Sequence, residues 1–149
     1  MAVERELIAP CGIYCAVCPL YLARTDEQLA RTLAERMQTT PDKVACPGCR
    51  PAQGSPTPLR GQTCVTYSCA TQKAVTYCHE CEDFPCRCLA PTADRADVLP
   101  HNIKIFSLLT LKRDGEENWV REYDLIWQRY FRGRMGIGEG PVLPEEQKK

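Results

Sequence analysis

Residues 11–19 read CGIYCAVCP and place Cys11, Cys15 and Cys18 at C-x3-C-x2-C spacing. Three thiolates so spaced can hold three irons of a 4Fe–4S cluster and leave the fourth iron open. They can equally close a zinc site with one distant partner, because zinc takes four soft ligands in a tetrahedron from any distance along the chain. Further on, Cys46/Cys49 (CPGC) and Cys78/Cys81 (CHEC) carry the two-residue gap of a zinc knuckle. That gap lets both thiolates of one tight turn face the same ion while backbone amides donate to the sulfurs. Cys64 and Cys69 add C-x4-C, and Cys86 and Cys88 close the series in FPCRC.

Zinc is the favoured ion, with an iron–sulfur cluster as the alternative. A radical enzyme using S-adenosylmethionine is argued against on three grounds: the chain is too short for the barrel, Val17 stands where an aromatic is usual, and no glycine-rich cofactor motif follows. His79 lies between two ligands, so its ring should point away from an ion they hold, and His101 at a helix start reads as a surface or capping residue. Neither histidine has the setting of a general base, and no carboxylate pair has an informative spacing.

The 149 residues, 44% apolar, can bury one modest core. A formal net charge of zero removes the general attraction to phosphate backbones, so nucleic acid is not the expected partner despite Arg129, Arg132 and Arg134. The start of the chain, with Glu4, Arg5 and Glu6, has no apolar signal region, and no run approaches the length of a membrane span. The chain is therefore expected in the cytoplasm, where thiols stay reduced and a disulfide framework is disfavoured. Eleven cysteines in that compartment ask for metal.

All eleven cysteines lie between Cys11 and Cys88. This shift in composition divides the chain into a cysteine-rich part (1–90), a helical part (91–135) expected to share its structural domain, and a glycine-rich, charged tail (136–149). Residues 19–24 read as helical, with Pro19 suited to a first turn. Thr25 and Gln28 have the spacing of a capping box, ahead of an amphipathic helix carrying Leu29, Leu33 and Met37. Thr40-Pro41-Asp42 reads as a cap and one turn. CPGCRPAQGSPTPLRG, residues 46–61, is dense in Pro and Gly and should be an irregular loop held by an external staple. Ile103, Phe106, Leu109 and Thr110 are expected on one face of a helix ending near Gly115. Trp119, Tyr123, Ile126, Trp127 and Tyr130 form the stripe of a second helix, expected to pack against the cysteine-rich part. Gly136, Gly138 and Gly140 give G-x-G-x-G with no strand before it, which reads as a flexible or wrapping tail rather than a phosphate loop.

The series CGIYCAVCPLY, CPGC, CVTYSCATQKAVTYCHECEDFPC, with the helical pair and GRMGIGEGP downstream, resembles an uncharacterised cysteine-rich family of bacteria and archaea. That family is known as a domain of unknown function and is taken to bind zinc. The resemblance runs from Cys11 to about Pro141. It implies Cys11, Cys15, Cys18, Cys46, Cys49, Cys64, Cys69, Cys78, Cys81 and Cys86 as metal residues and leaves Cys88 outside the pattern. It implies no reaction.

The expected fold is mainly α with irregular metal-stapled loops, a small α+β arrangement being the alternative. The expected role is a zinc-binding adaptor for a protein or small-molecule partner. The alternatives are a metal-handling or thiol-redox enzyme with an open site at Cys11, Cys15 and Cys18, or an iron–sulfur protein. Sequence proximity pairs Cys46 and Cys49 with Cys64 and Cys69, and groups Cys78, Cys81 and Cys86 with the N-terminal trio. If Cys86 closes the trio's site, Cys86→Ser should release about one equivalent of zinc and lower the melting temperature, since metal binding and folding are coupled. Unchanged metal content and melting would remove Cys86 from the ligand set.

Overall fold

The computed structural model describes residues 3–146. The backbone forms two compact units, Met1–Phe84 and Pro85–Lys149, so Cys86 and Cys88 belong to the second. The fold is mainly helical, as expected: α1 (Pro19–Leu22), α2 (Glu27–Met37), α3 (Val65–Gln72) and α4 (Lys104–Arg132) are joined by short 3-10 turns. Among the described residues extended pairing is limited to the isolated antiparallel bridges Ile8–Tyr14 and Arg134–Val142. No described helix is long and apolar enough to cross a membrane.

In the first unit, the chain enters through a turn at Gly12, where the Gly12 amide donates to Ala9 O (2.9 Å) and Ala9 N–H to Ile13 O (2.9 Å). A 3-10 turn, Cys15–Val17, leads directly into α1, with Pro19 in its first turn. The cap of α2 is Asp26, whose carboxylate accepts from Leu29 N (2.9 Å), rather than Thr25. Thr25 instead donates its hydroxyl to Leu22 O (3.3 Å) and closes the preceding turn. A carboxylate facing the unpaired amides of a helix start is the stronger acceptor. One apolar cluster here has Ala23, Ala30, Ala34 and Val44 buried, with Leu20, Leu29, Leu33 and Met37 packed around them; Leu7, Ile8, Ala9, Ala70 and Tyr77 are buried as well. Small side chains let the short helices approach closely but remove little area from water, roughly 25 cal/mol per Å² of it counting toward stability. Residues 46–61 are irregular, with one 3-10 turn at Thr57–Leu59. Helix α3 has no apolar stripe in its sequence; Ala70 is buried while Val65 is 74% exposed.

In the second unit, α4 follows a 3-10 turn, Pro100–Ile103, and is interrupted at Gly115 (φ 74°, ψ 165°). Only glycine takes that backbone region at little cost, so the two predicted helices meet there. The expected stripe of the first half is rotated. Ile103, Ser107, Leu108, Thr110 and Leu111 are buried, whereas Phe106 and Leu109 are 62% and 50% exposed. The 3-10 turn has three residues per turn and shifts the phase of the face that follows. The backbone carbonyl of the buried Ser107 accepts the Trp119 indole N–H (3.1 Å) across the break. Trp119 and Tyr123 are fully buried, ring centroids 4.6 Å apart, and the series continues through Trp127 to Phe131. Beyond Gly133 the glycine-rich segment turns back on itself: Arg134 and Val142 exchange backbone hydrogen bonds (2.9 and 3.0 Å), and Arg129 and Arg132 pair with Glu146 and Glu145. This part of the predicted tail wraps; residues 147–149 lie outside the described residues.

Trp119→Ala should cost about 3–5 kcal/mol, through the cavity left by a buried indole and the loss of its hydrogen bond to the Ser107 carbonyl. Urea unfolding of the full chain measures it, and a loss below about 1 kcal/mol would show that this aromatic does not organise α4.

Candidate metal centre

Three stretches of the first unit bring thiols together. The N-terminal turn supplies Cys11 and Cys15, and Cys18 stands at the start of α1. The loop after Val44 supplies Cys46 and Cys49, and Cys64 caps α3. The Cys46 amide donates to Leu20 O (3.0 Å), which returns the chain beside α1 after the excursion through α2. The Cys49 amide donates to Cys15 Sγ (3.4 Å), an N–H to sulfur bond of the kind that supports metal thiolates. Gly54 links the next pair: its amide donates to Cys49 O (2.9 Å) and its carbonyl accepts from Cys64 N (2.7 Å). At Gly54 (φ +81°) a Cβ would lie 2.4 Å from the Tyr67 ring, so both conformation and space require glycine.

The CHEC turn is anchored beside Cys11, because the Cys78 amide donates to Pro10 O (2.8 Å). His79 stacks on Tyr77 with centroids 5.6 Å apart. Lys73 Nζ pairs with Asp83 (2.5 Å), and that hydrogen bond, reinforced by the Asp83 charge and then by Cys81, holds the Lys73 pKa above its ordinary range. Cys69 lies within α3. Cys86 precedes the 3-10 turn Arg87–Leu89 in the second unit, and Cys88 within that turn is exposed. His101 is occupied structurally: its Nε2 meets Ala90 O and its Nδ1 meets Lys104 Nζ, each at 3.1 Å.

Arg50 is the residue whose part the sequence does not announce. Its Nε donates to Ile8 O (2.7 Å), its other nitrogen to Thr76 O (2.6 Å), and its guanidinium lies 5.6 Å from the Tyr77 ring centroid. One side chain thus ties the N-terminal turn, the CPGC loop and the segment before CHEC. Only its position next to Cys49 could have drawn notice.

Burial dominates the electrostatics. It raises the Cys15 pKa to about 11; the Cys49 amide opposes the rise, and Cys18, Cys46 and Cys11 add to it. Cys49 is raised to about 12 by burial, then by Cys11, Cys15 and Cys64, with Arg50 opposing. Cys18 is also raised by burial; the amides of Leu20 and Tyr21 pull it down, and Cys46 pushes it up. Those amides give the downward pull expected of a helix start, yet desolvation is larger. The Leu20–Cys46 bond sets Cys46 beside α1, and the Cys49 amide meets Cys15 Sγ.

Among the described residues no three or more His, Cys, Asp or Glu side chains are already gathered about a point where a metal ion would sit. The donor chemistry fits a soft cation: the eleven cysteines are thiols outside disulfides, Cys15 and Cys46 are buried, and amides face Cys15 and Cys18. A bound cation also removes the conflict of burial, because a coordinated thiol is deprotonated outright.

A family model described as protein of unknown function (DUF3795) matches residues 7–91. The chain belongs to the DUF3795 family. All eleven cysteines fall inside the matched span, and α4 lies beyond it, so the family match ends well before Pro141. No curated protein and no solved structure matches the chain.

In metal-free, reduced protein the raised thiols set a pH dependence. Cys15 and Cys49 keep their protons in the folded state at pH values where the unfolded chain, with thiols near about 8.5, has lost them. Their contribution is therefore whole below about pH 8.5 and lost as pH rises through about 11 to 12. Thiolate ultraviolet absorbance should show a late-titrating fraction, with stability falling over the same window. Titration of every thiol near about 8.5 would contradict it.

Proposed function

We propose that this DUF3795 protein is a zinc-binding adaptor whose metal is structural, held by thiolates of the ten cysteines Cys11, Cys15, Cys18, Cys46, Cys49, Cys64, Cys69, Cys78, Cys81 and Cys86. The observation that carries the proposal is that backbone ties return the CPGC loop to the N-terminal cysteines: the Cys49 amide donates to Cys15 Sγ (3.4 Å), and the Cys46 amide donates to Leu20 O (3.0 Å), two residues beyond Cys18. Structural zinc supplies an apparent ~10–16 kcal/mol in small finger peptides, enough to fix an irregular loop such as 46–61.

A structural role is favoured over a catalytic one by where the thiols lie. Two open grooves mark the surface of this unit, about 520 and 490 Å³, and neither is lined by a cysteine. Catalytic zinc keeps a position open to substrate, whereas structural zinc is closed. The grooves meet at Arg24 and are lined by Arg5, Tyr21, Arg31, Asp42 and Pro47 among others, a mixed polar surface suited to a protein or small-molecule partner.

Elemental analysis of full-length protein purified without oxygen should find about two equivalents of zinc, since four thiolates fill each structural site. A chelator should then lower the melting temperature. A brown sample containing iron and sulfide would replace zinc by a cluster, and a sample with neither metal would remove the metal reading altogether.

A further inference from the structure

Residues 8–10 and 76–78 are tied at two levels, 8 to 76 and 10 to 78, yet they do not complete a strand pair. The Cys78 amide donates to Pro10 O (2.8 Å), which is one rung of a parallel pair with residues 10 and 77 opposite each other. The companion rung of that pair would run from the amide of residue 10 to the carbonyl of residue 76, and proline has no amide hydrogen to give. The next rung, from the amide of residue 76 to the carbonyl of residue 8, is missing as well. Glu80, inside CHEC, takes the Thr76 amide (2.7 Å) together with that of Tyr77 (3.1 Å) and so caps its own turn. Ile8 O and Thr76 O are thereby denied the amides a ladder would bring them, beside the buried Ile8, Ala9 and Tyr77. Arg50 meets both: Nε lies 2.7 Å from Ile8 O, Nη2 lies 2.6 Å from Thr76 O, and the guanidinium is 5.6 Å from the Tyr77 ring centroid.

We infer that Arg50 is a positioning residue whose planar fork replaces the two rungs that Pro10 and Glu80 withhold, and so sets the segment leading into Cys78 against the one leading into Cys11. A guanidinium carries its donors at fixed spacing, as two successive amides of a ladder do, and a lysine ammonium does not. The residue after CPGC thus places the CHEC turn. Every bond in this arrangement lies between backbone, Arg50 and Glu80, so the inference goes beyond the metal reading and stands or falls apart from it.

Amide hydrogen exchange of the full chain, kept reduced, tests this through a rescue. Arg50→Met keeps an aliphatic stem and removes the donors, so the Cys78 amide should exchange about tenfold faster, while the Ala30 amide of α2, bonded to Asp26 O, keeps its rate. Adding Pro10→Ala to that variant supplies the missing N–H for Thr76 O, and the Cys78 rate should fall back by about threefold or more. In the wild-type background, where Arg50 already occupies Thr76 O, Pro10→Ala should give no such gain. Equal loss of protection at Cys78 and Ala30 would make Arg50 a general stabiliser and overturn the inference. It is overturned equally if Pro10→Ala does not improve the Arg50→Met chain, whether improvement is read as slower exchange or, where Arg50→Met alone fails to fold, as recovery of the folded state.

Discussion

The bond from the Cys49 amide to the Cys15 sulfur, 3.4 Å long, is the point on which the cysteine-rich unit turns. It joins the N-terminal turn to a loop 34 positions later in the chain, where the small alanine-rich core does not reach. Around it Arg50 adds two charged hydrogen bonds to carbonyls from opposite ends of the unit, a fork that an ammonium on a flexible stem would not reproduce. These polar ties lie beside the buried Leu7, Ile8, Ala9 and Tyr77, and they fix the backbone that carries the thiols.

The same polar ties create an electrostatic problem. Several thiols share a desolvated region, and each thiolate that formed would repel its neighbours, so Cys15, Cys18 and Cys49 are held protonated in the metal-free chain. A bound soft cation would neutralise the charge that burial opposes. The second unit solves its own stability differently, with Trp119 and Tyr123 fully buried and the indole N–H satisfied by Ser107 across the break at Gly115.

Local chemistry was legible in the sequence. Pro19 in the first turn of α1, the amphipathic run to Met37, the single turn after Thr40, the irregular 46–61 loop and the break at Gly115 all follow from residue types acting over a few positions. Where two local signals competed, the sequence was ambiguous. Thr25 and Asp26 can both cap, and the carboxylate took the helix while the hydroxyl took the turn before it. Helix α3 carries no periodic stripe, so nothing announced it; its start is fixed by Cys64, which is bonded to Gly54.

The sequence by itself determined that this is a cysteine-rich, mainly helical member of its family, because composition, cysteine spacing and turn residues are properties of short stretches. Tertiary structure alone decided that the Cys49 amide meets Cys15 Sγ, that Arg50 spans Ile8 and Thr76, and that Phe106 and Leu109 face outward while Ser107 is buried. These depend on where the chain returns after each excursion. A single backbone bond such as Cys46 N–H to Leu20 O sets that return, and its two partners lie too far apart in sequence for any local preference to specify.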